Sequence, residues 1–238
     1  NNGVEWIDVK GTYAMYDGVD SPLTQTFGLG LFEDITHSQL DEIEAFYHKH
    51  NAPIMHEVSP LTDPAHIQIL HNRGYRPIEM TTVMYLPLIK DVLSITTKSQ
   101  EINTRILKVE ERDLWAHTSA EGWSTEMPGL SDFMFQFGQI AVNSVDARPF
   151  LAELDGKAIA TGMLYIDNDI ALLAGASTIP EGRNRGAQNG LLEARLDYAA
   201  HQGCTLAMMA ASPGSQSQKN AEKKGFRIAY TRTKWTKG

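Results

Sequence analysis

ALLAGASTIPEGRNRGAQNGLLEARLDYAAHQG, running from Ala171 to Gly203, decides how the chain reads. An apolar, small-residue run ends at Ile179-Pro180, a turn with Gly182, Arg183, Arg185 and Gly186 follows, and a helix opens at about Gln188. A strand, a turn and a helix N-terminus in that order can hold an anion. The first N–H groups of a helix lack intrahelical acceptors, and the helix dipole puts partial positive charge there. Gly182 and Gly186 allow close backbone approach, and Arg183 and Arg185 add forked donors suited to phosphate oxygens. A diphosphate fits such a turn. On spacing alone, a plain strand-to-helix connection with solvated arginines explains the same residues, because short glycine motifs are weak without context.

The flanking sequence supplies context. Thr104 to Val109 alternates like a strand, Glu110 to Gly122 reads as a helix, and Ser131 N-caps a second helix running to Asn143. Phe150 to Leu154 and Lys157 to Ile166 form a hairpin about Asp155-Gly156. The Asp167-Asn168 turn leads into a strand from Ile170 to Thr178, and the long helix runs from about Gln188 to Gln202. A strand from Thr205 to Ala211, a short helix from about Ser215 to Lys224 and a strand from Phe226 to Trp235 complete the series.

Arg183-Asn184-Arg185-Gly186-Ala187-Gln188 resembles the Arg/Gln-x-x-Gly-x-Gly/Ala motif of the GCN5-related N-acetyltransferases, the GNAT superfamily. Lys224-Gly225-Phe226-Arg227 resembles the family's Gly-Phe ending, in which Gly stops a helix and Phe enters the core. The resemblance covers Thr104 to Trp235. It implies an α/β chain of the GNAT (acyl-CoA N-acyltransferase) fold, a mixed central sheet flanked by helices, with acetyl-CoA (CoA) as cofactor. In that family the loop amides hold the pyrophosphate and the preceding strand bonds the pantetheine. Carried over by position, the cofactor residues are Ser177, Thr178, Ile179, Arg183, Asn184, Arg185, Gly186, Ala187 and Gln188. Ser217 matches a small hydroxyl beside the pantetheine, and Gln188 departs from the pattern by standing where Gly or Ala is usual.

The resemblance further implies direct attack of an amine on the thioester, assisted by a backbone N–H near Gly175 to Ser177. Many members place a Tyr acid five residues before the Phe of the Gly-Phe ending, where this chain has Ala221, and Leu172 to Thr178 holds no carboxylate. The catalytic candidates are therefore Glu126, Glu153 and Tyr165, with Glu121 also on the expected acceptor side. Each of them suits a solvent-facing or structural position better. Trp123, Met127, Phe133 and Phe137 read either as an apolar acceptor pocket or as core. The expected activity is transfer of an acetyl group from acetyl-CoA to an amine of a small molecule or peptide. A non-catalytic acyl-CoA-binding pseudoenzyme or sensor is the alternative, as is an acyltransferase using another donor, either a longer acyl-CoA or an aminoacyl-tRNA.

An internal repeat accounts for the first hundred residues. The strand from Pro53 ends at Ser59-Pro60, a helix spans about Pro64 to Asn72, and Arg73-Gly74-Tyr75-Arg76 leads into a strand from Glu79 to Leu86. Leu206 to Ala211, Ser212-Pro213, a helix and Lys224-Gly225-Phe226-Arg227 repeat that order. Upstream, Thr26 to Phe32 reads as a strand and Ser38 to His50 as an amphipathic helix with Leu40, Ile43, Phe46 and Tyr47 on its apolar side. The join Glu33-Asp34-Ile35-Thr36-His37 lacks the Arg-x-x-Gly pattern and carries two carboxylates that would repel a diphosphate. Residues 1–93 are thus expected to form a degenerate, partial GNAT-like module and residues 94–238 the acetyltransferase domain, with a polar linker over Ile89 to Asn103. Gly28-Leu29-Gly30 reads as a glycine-bearing strand without a dinucleotide fingerprint. His37, His48, His50, His56, His66 and His71 suit surface or packing positions, and no metal site is expected.

Composition agrees with one large core or two modest ones: 238 residues, 42% of them hydrophobic. The net charge of -8 argues against general nucleic-acid binding. Lys219, Lys223, Lys224, Arg227, Arg232, Lys234 and Lys237 cluster late in the chain, as a solvated face or as help for nucleotide phosphates. The single cysteine excludes an intrachain disulfide and suits a reducing, cytoplasmic setting. No apolar run reaches membrane-spanning length, so no membrane partner is expected, and a homodimer is left open. The start at Asn1, without Met, leads us to expect that the natural protein begins upstream.

Overall fold

Lys10 and Gly11, both at positive φ (56° and 80°), turn β1 (Glu5–Val9) back onto β2 (Thr12–Tyr16) in a two-residue hairpin that the sequence reading did not mark. β3 (Gln25–Phe27) is shorter than the expected strand to Phe32, because the chain bends at Gly28. Next come α1 (His37–Lys49), β4 (Met55–Val58), α2 (Pro64–Asn72) and β5 (Tyr75–Pro87). β6 (Ile102–Ile106), α3 (Arg112–Trp123), α4 (Ser131–Asn143), β7 (Ala147–Leu154), β8 (Lys157–Asp167) and β9 (Ile170–Thr178) follow. α5 (Ala187–His201), β10 (Leu206–Ala211), α6 (Gln216–Lys223) and β11 (Arg227–Lys237) end the chain. This is a computed structural model and it describes residues 3–88, 101–125, 129 and 131–237. Most of the expected linker, together with Glu126 and Met127, lies outside the described residues.

The chain divides into two compact units. The first holds residues 1–83, 211–215 and 228–238, and the second holds 84–210 and 216–227. The terminal strand, read from the sequence as the end of the second half, therefore groups with the first unit. β5 contributes Tyr75 to Val83 to the first unit and Met84 to Pro87 to the second.

In the first unit the strand order is β1-β2-β3-β4-β11-β5, with β3 parallel to β4 and β11 antiparallel to β4 from Val58↔Thr233 to Met55↔Thr236. α1 and α2 bury Leu40, Ile43, Phe46, Tyr47 and Leu70 against Val9, Ala14, Val58, Tyr75 and Trp235. α1 starts in a capping box: Thr36 Oγ1 accepts from the Gln39 amide, and Gln39 Oε1 accepts from the Thr36 amide at 2.7 Å. Its inner carboxylate, Glu44, takes hydrogen bonds from Arg73 (2.9 and 3.1 Å) and the Tyr75 hydroxyl (2.9 Å). Burial alone would raise the Glu44 pKa, but the hydrogen bonds from Tyr75 and Arg73 outweigh it and hold the carboxyl below its usual range.

A carboxyl lowered on folding stabilises fully above its unfolded value of roughly 4.3, and that contribution is lost as pH falls through the folded value. Melting of the first unit is therefore expected to drop more steeply below about pH 4 in the native chain than in Glu44→Gln. At neutral pH the variant should be less stable by ~1–3 kcal/mol, the scale of hydrogen bonds to a charged group. Melting temperature measured across pH for both proteins checks this, and parallel curves would refute it.

In the second unit the order is β5-β10-β9-β8-β7-β6, with β9 and β10 parallel and β6 to β9 antiparallel. Met163 and Leu164 are neighbours on β8, so their side chains leave opposite faces. Leu164 joins Leu191, Leu192 and Leu196 of α5, whereas Met163 joins Trp115 of α3 and Val142 of α4. The sheet is thus covered by α5 on one face and by α3 and α4 on the other, the layered α/β arrangement that buries a sheet on both sides.

Candidate functional site

β9 lies beside β8 along its length but beside β10 only at its start. The β10 register covers Ile170 to Leu173, so among the described residues Ala174 to Thr178 have no partner on that side. On the β8 side, Thr161 faces Ser177 and Met163 faces Ala174, leaving Gly175 and Ala176 opposite Gly162 alone. That extra residue is a β-bulge, which bends the strand and re-aims its groups. Gly175, at φ 55°, is exposed on it. An unpaired strand edge of this kind can pair with the amides of an extended ligand.

Ser177 offers that edge only its backbone. Its hydroxyl is buried against Thr161 Oγ1 (3.0 Å) and donates to the Ser119 carbonyl (3.2 Å). α3 sits so close that a Cβ on Gly122 would stand 2.5 Å from Ser177 Oγ. Ile179 is buried and its amide donates to the Ile159 carbonyl at 3.0 Å, which fixes where β9 ends.

Beyond Pro180–Gly182, a single 3-10 turn, the chain enters α5 through Gly186, whose left-handed φ of 85° favours glycine. No side chain caps this helix, and no atom lies within 4 Å of the place a Cβ would take on Gly186. The amides that open α5 thus have no side-chain cap, at the positive end of the helix dipole. Gln188 does not crowd them, because its Nε2 folds back to donate to Thr178 Oγ1 at 2.7 Å. Asn184 (φ 61°) and Arg185 are exposed in the turn. Arg183 points elsewhere: Nη2 donates to Thr125 Oγ1 (2.7 Å) and the Gly122 carbonyl (3.3 Å), and Nε donates to the Thr178 carbonyl (3.4 Å). It ties the turn to the end of α3. Ser217 is exposed on α6.

α3 and α4 flank an open cleft of about 350 Å³ lined by His117, Ala120, Glu121, Ser124, Ser131, Asp132 and Phe135. His117 stacks on Phe135 at 4.2 Å between ring centroids. Of the residues read as either apolar pocket or core, Phe133 and Phe137 stack on each other, and neither they nor Trp123 line this cleft. His117 and Phe135 were not singled out in the sequence; the spacing of His117, Ala120, Glu121 and Ser124 along one helix face could have shown the wall.

The remaining candidates lie apart. Glu153 is gripped by Arg105 (2.6 and 3.1 Å) and Asn103 (3.0 Å), and Arg105 also bonds both oxygens of Glu111. The Arg105 bonds hold the Glu153 carboxyl below its usual range, which makes it a weak base. Tyr165 sits across from Leu172, four residues along β8 from Thr161, and burial raises its pKa despite a bond with Ser144. Glu153 and Tyr165 are not brought together. Ala221, where the resemblance implied a Tyr acid, is fully buried in the core. Among the described residues no group of three or more His, Cys, Asp or Glu side chains is placed to hold a metal.

The profile of the Acetyltransferase (GNAT) family matches residues 109–226, a span that contains the bulged β9, the turn and α5. Residues 109–226 are a GNAT-family domain. Solved structures agree on the fold. The chain resembles a GCN5-related N-acetyltransferase from Kribbella flavida at 15% identity and TM-score 0.68, covering 98% of this chain and 89% of that one. A GCN5-related N-acetyltransferase from Sphaerobacter thermophilus matches at 12% identity and TM-score 0.68, covering 98% and 75%. A tandem GNAT protein from the clavulanic acid biosynthesis pathway matches at 17% identity and TM-score 0.62, covering 84% and 68%. No curated protein matches the chain. No helix among the described residues is long and apolar enough to cross a membrane. The GNAT domain thus carries the uncapped α5 and the open β9 edge in one continuous stretch of chain.

Proposed function

We propose that this chain is an acetyl-CoA-dependent N-acetyltransferase that acylates an amine of a small molecule or peptide. The observation that carries the reading is the pairing of an unpartnered β9 edge with an α5 whose N-terminus no side chain caps. The residues fit the cofactor's chemistry. Amides at Gly186, Ala187 and Gln188 suit a diphosphate, with the exposed Arg185 and Asn184 beside them. Backbone groups of Ala174 to Thr178 suit the pantetheine amides, Ile179 and Arg183 fix the turn, and Ser217 lies on α6 as an additional hydroxyl. When bound, acetyl-CoA supplies the thioester that the amine attacks.

The chain's own contribution to the chemistry is orientation and a proton acceptor. A backbone N–H between Gly175 and Ser177 stabilises the developing oxyanion. Glu121 lines the α3–α4 cleft and precedes Gly122, which packs on Ser177, so it is the carboxylate we assign to take the amine proton; Glu126 is the second candidate. Two carboxylates, Glu121 and Asp132, and the His117–Phe135 stack suit a cationic amine.

We also read residues 1–93 as a degenerate, partial GNAT-like module and 94–238 as the acetyltransferase domain, in a cytoplasmic protein. Support comes from the repeat and from one contrast: the N-terminus of α1 is occupied by its own capping box, whereas that of α5 is open. The buried Ala221 favours a second reading, an acyl-CoA sensor without efficient transfer.

Calorimetric titration with acetyl-CoA and with CoA tests the cofactor reading, and absence of binding overturns it. Amine-dependent release of CoA separates enzyme from sensor. Glu121→Gln is expected to lower kcat by roughly 10²-fold or more with little change in acetyl-CoA affinity; full activity in this variant would pass the role to Glu126.

A further inference from the structure

Arg195 is a buried cation for which the sequence reading and the proposed reaction have no use. It lies on α5, is 3% exposed, and has no carboxylate partner among the described residues. Three carbonyls surround it instead: Nε donates to Leu191 O (3.0 Å), and Nη1 donates to Met163 O (3.1 Å) and Ala174 O (3.3 Å). Met163 and Ala174 are the pair at which regular β8–β9 pairing resumes after the bulge. The guanidinium reaches them because residue 162 is glycine, and a Cβ there would stand 2.9 Å from Arg195 Cζ. Desolvation lowers the Arg195 pKa to about 10, so the group stays charged at neutral pH.

We propose that Arg195 is a positioning residue that holds the β9 bulge and so sets the backbone edge from Ala174 to Ser177 on which the acyl-pantetheine arm is bound. The proposal rests on the cofactor reading above. A bulge leaves groups without ladder partners, and buried carbonyls left unpaired are costly. Arg195 bonds one carbonyl on each strand at the edge of the bulge, from the helix whose N-terminus is assigned to the diphosphate. One helix therefore carries both the anion site at its start and, two turns later, the clamp on the neighbouring strand.

The test uses the full chain, Arg195→Met, Arg195→Lys and Gly162→Ala, the last keeping the arginine while crowding its guanidinium. Two ligands are titrated: acetyl-CoA, and 3′-phospho-ADP, the part of CoA without pantetheine. Arg195→Met and Gly162→Ala are expected to weaken acetyl-CoA about tenfold, the scale of one buried hydrogen bond, while leaving 3′-phospho-ADP unchanged. Arg195→Lys, which keeps the charge but has a single donor nitrogen in place of the guanidinium fork, should recover part of the loss. Hydrogen exchange of the ligand-free proteins should rise about tenfold at Gly175 to Thr178 and stay level in the rest of β9 and in α5.

Equal losses for both ligands, or unchanged exchange at Gly175 to Thr178 in every variant, overturn the proposal. If the native chain binds neither ligand, the cofactor reading fails, and the exchange data still decide whether Arg195 holds the bulge.

Discussion

A chain that ends at Arg227 is expected to lose the fold of its first unit, although the residues removed come last in the sequence. β11 lies between β4 and β5 in that unit, so its loss strips both neighbours of a ladder partner. Trp235 leaves the cluster it shares with Leu40, Ile43, Val58 and Tyr75, and truncating a core Trp alone costs ~3–5 kcal/mol. Thr236 Oγ1 no longer donates to the Ile54 carbonyl (3.1 Å). Arg232 no longer pairs with Glu57 (2.8 Å), a carboxyl that burial already pushes up. Together these losses approach the roughly 5–15 kcal/mol that a whole domain has to spend. Hydrogen exchange is the measurement: α1 and β4 amides should lose protection in the shortened chain, and Trp235→Ala should melt earlier without unfolding the unit at 25 °C. Intact protection of α1 without β11 would show that the first unit holds itself together.

That dependence was not legible in the sequence. Phe226 to Trp235 alternates as a strand whichever sheet it joins, and periodicity is silent about the partner. The β1–β2 hairpin was missed for a related reason: Lys10-Gly11 is a weaker turn signal than Asn-Gly, and Trp6 and Tyr13, both exposed, do not give a clean inward pattern. Where the signal was local the reading held. β9 runs from Ile170 to Thr178 as expected, α4 from Ser131 to Asn143, and the β7–β8 turn sits at Asp155-Gly156.

The site shows the same division. Gly186 could be placed at a helix start from its spacing alone, and its positive φ is what a glycine there provides. The bulge could not be read, since it depends on register between β8 and β9. Arg195 was hidden with it: within LLEARLDYA an arginine reads as solvated, and the Met163 and Ala174 carbonyls it bonds and the missing Cβ of Gly162 explain its burial. Arg183 was expected to aim at phosphate, whereas Gly122 of α3 and Thr125 just beyond it, some sixty positions earlier in the chain, take its donors.

Gly186→Glu is expected to weaken acetyl-CoA more than any other single change in the turn, and comparison with Gly186→Ala separates the two causes. Both replacements place an L side chain at φ 85°, a strain of ~1–2 kcal/mol that falls on the free and bound protein alike. A Cβ at this position meets nothing within 4 Å, so the methyl of Gly186→Ala adds no crowding and that variant isolates the backbone strain. What distinguishes them is a carboxylate at the mouth of α5, where the diphosphate is assigned. Like charges about 4 Å apart at an effective dielectric near 20 repel by roughly 4 kcal/mol, which the mobility of an exposed side chain reduces. A loss of roughly 10- to 100-fold beyond that of Gly186→Ala corresponds to about 1.4–2.8 kcal/mol. Because the site is open, that excess should shrink as salt rises from low ionic strength to about 0.15 M, where screening acts over about 8 Å. Arg183→Ala, whose guanidinium is held by Gly122 and Thr125, should act through the turn and lack this salt dependence. Calorimetric titration of the native chain and the three variants at two salt concentrations reads all of these effects. Equal affinities for Gly186→Glu and Gly186→Ala would mean that no anion binds at the start of α5.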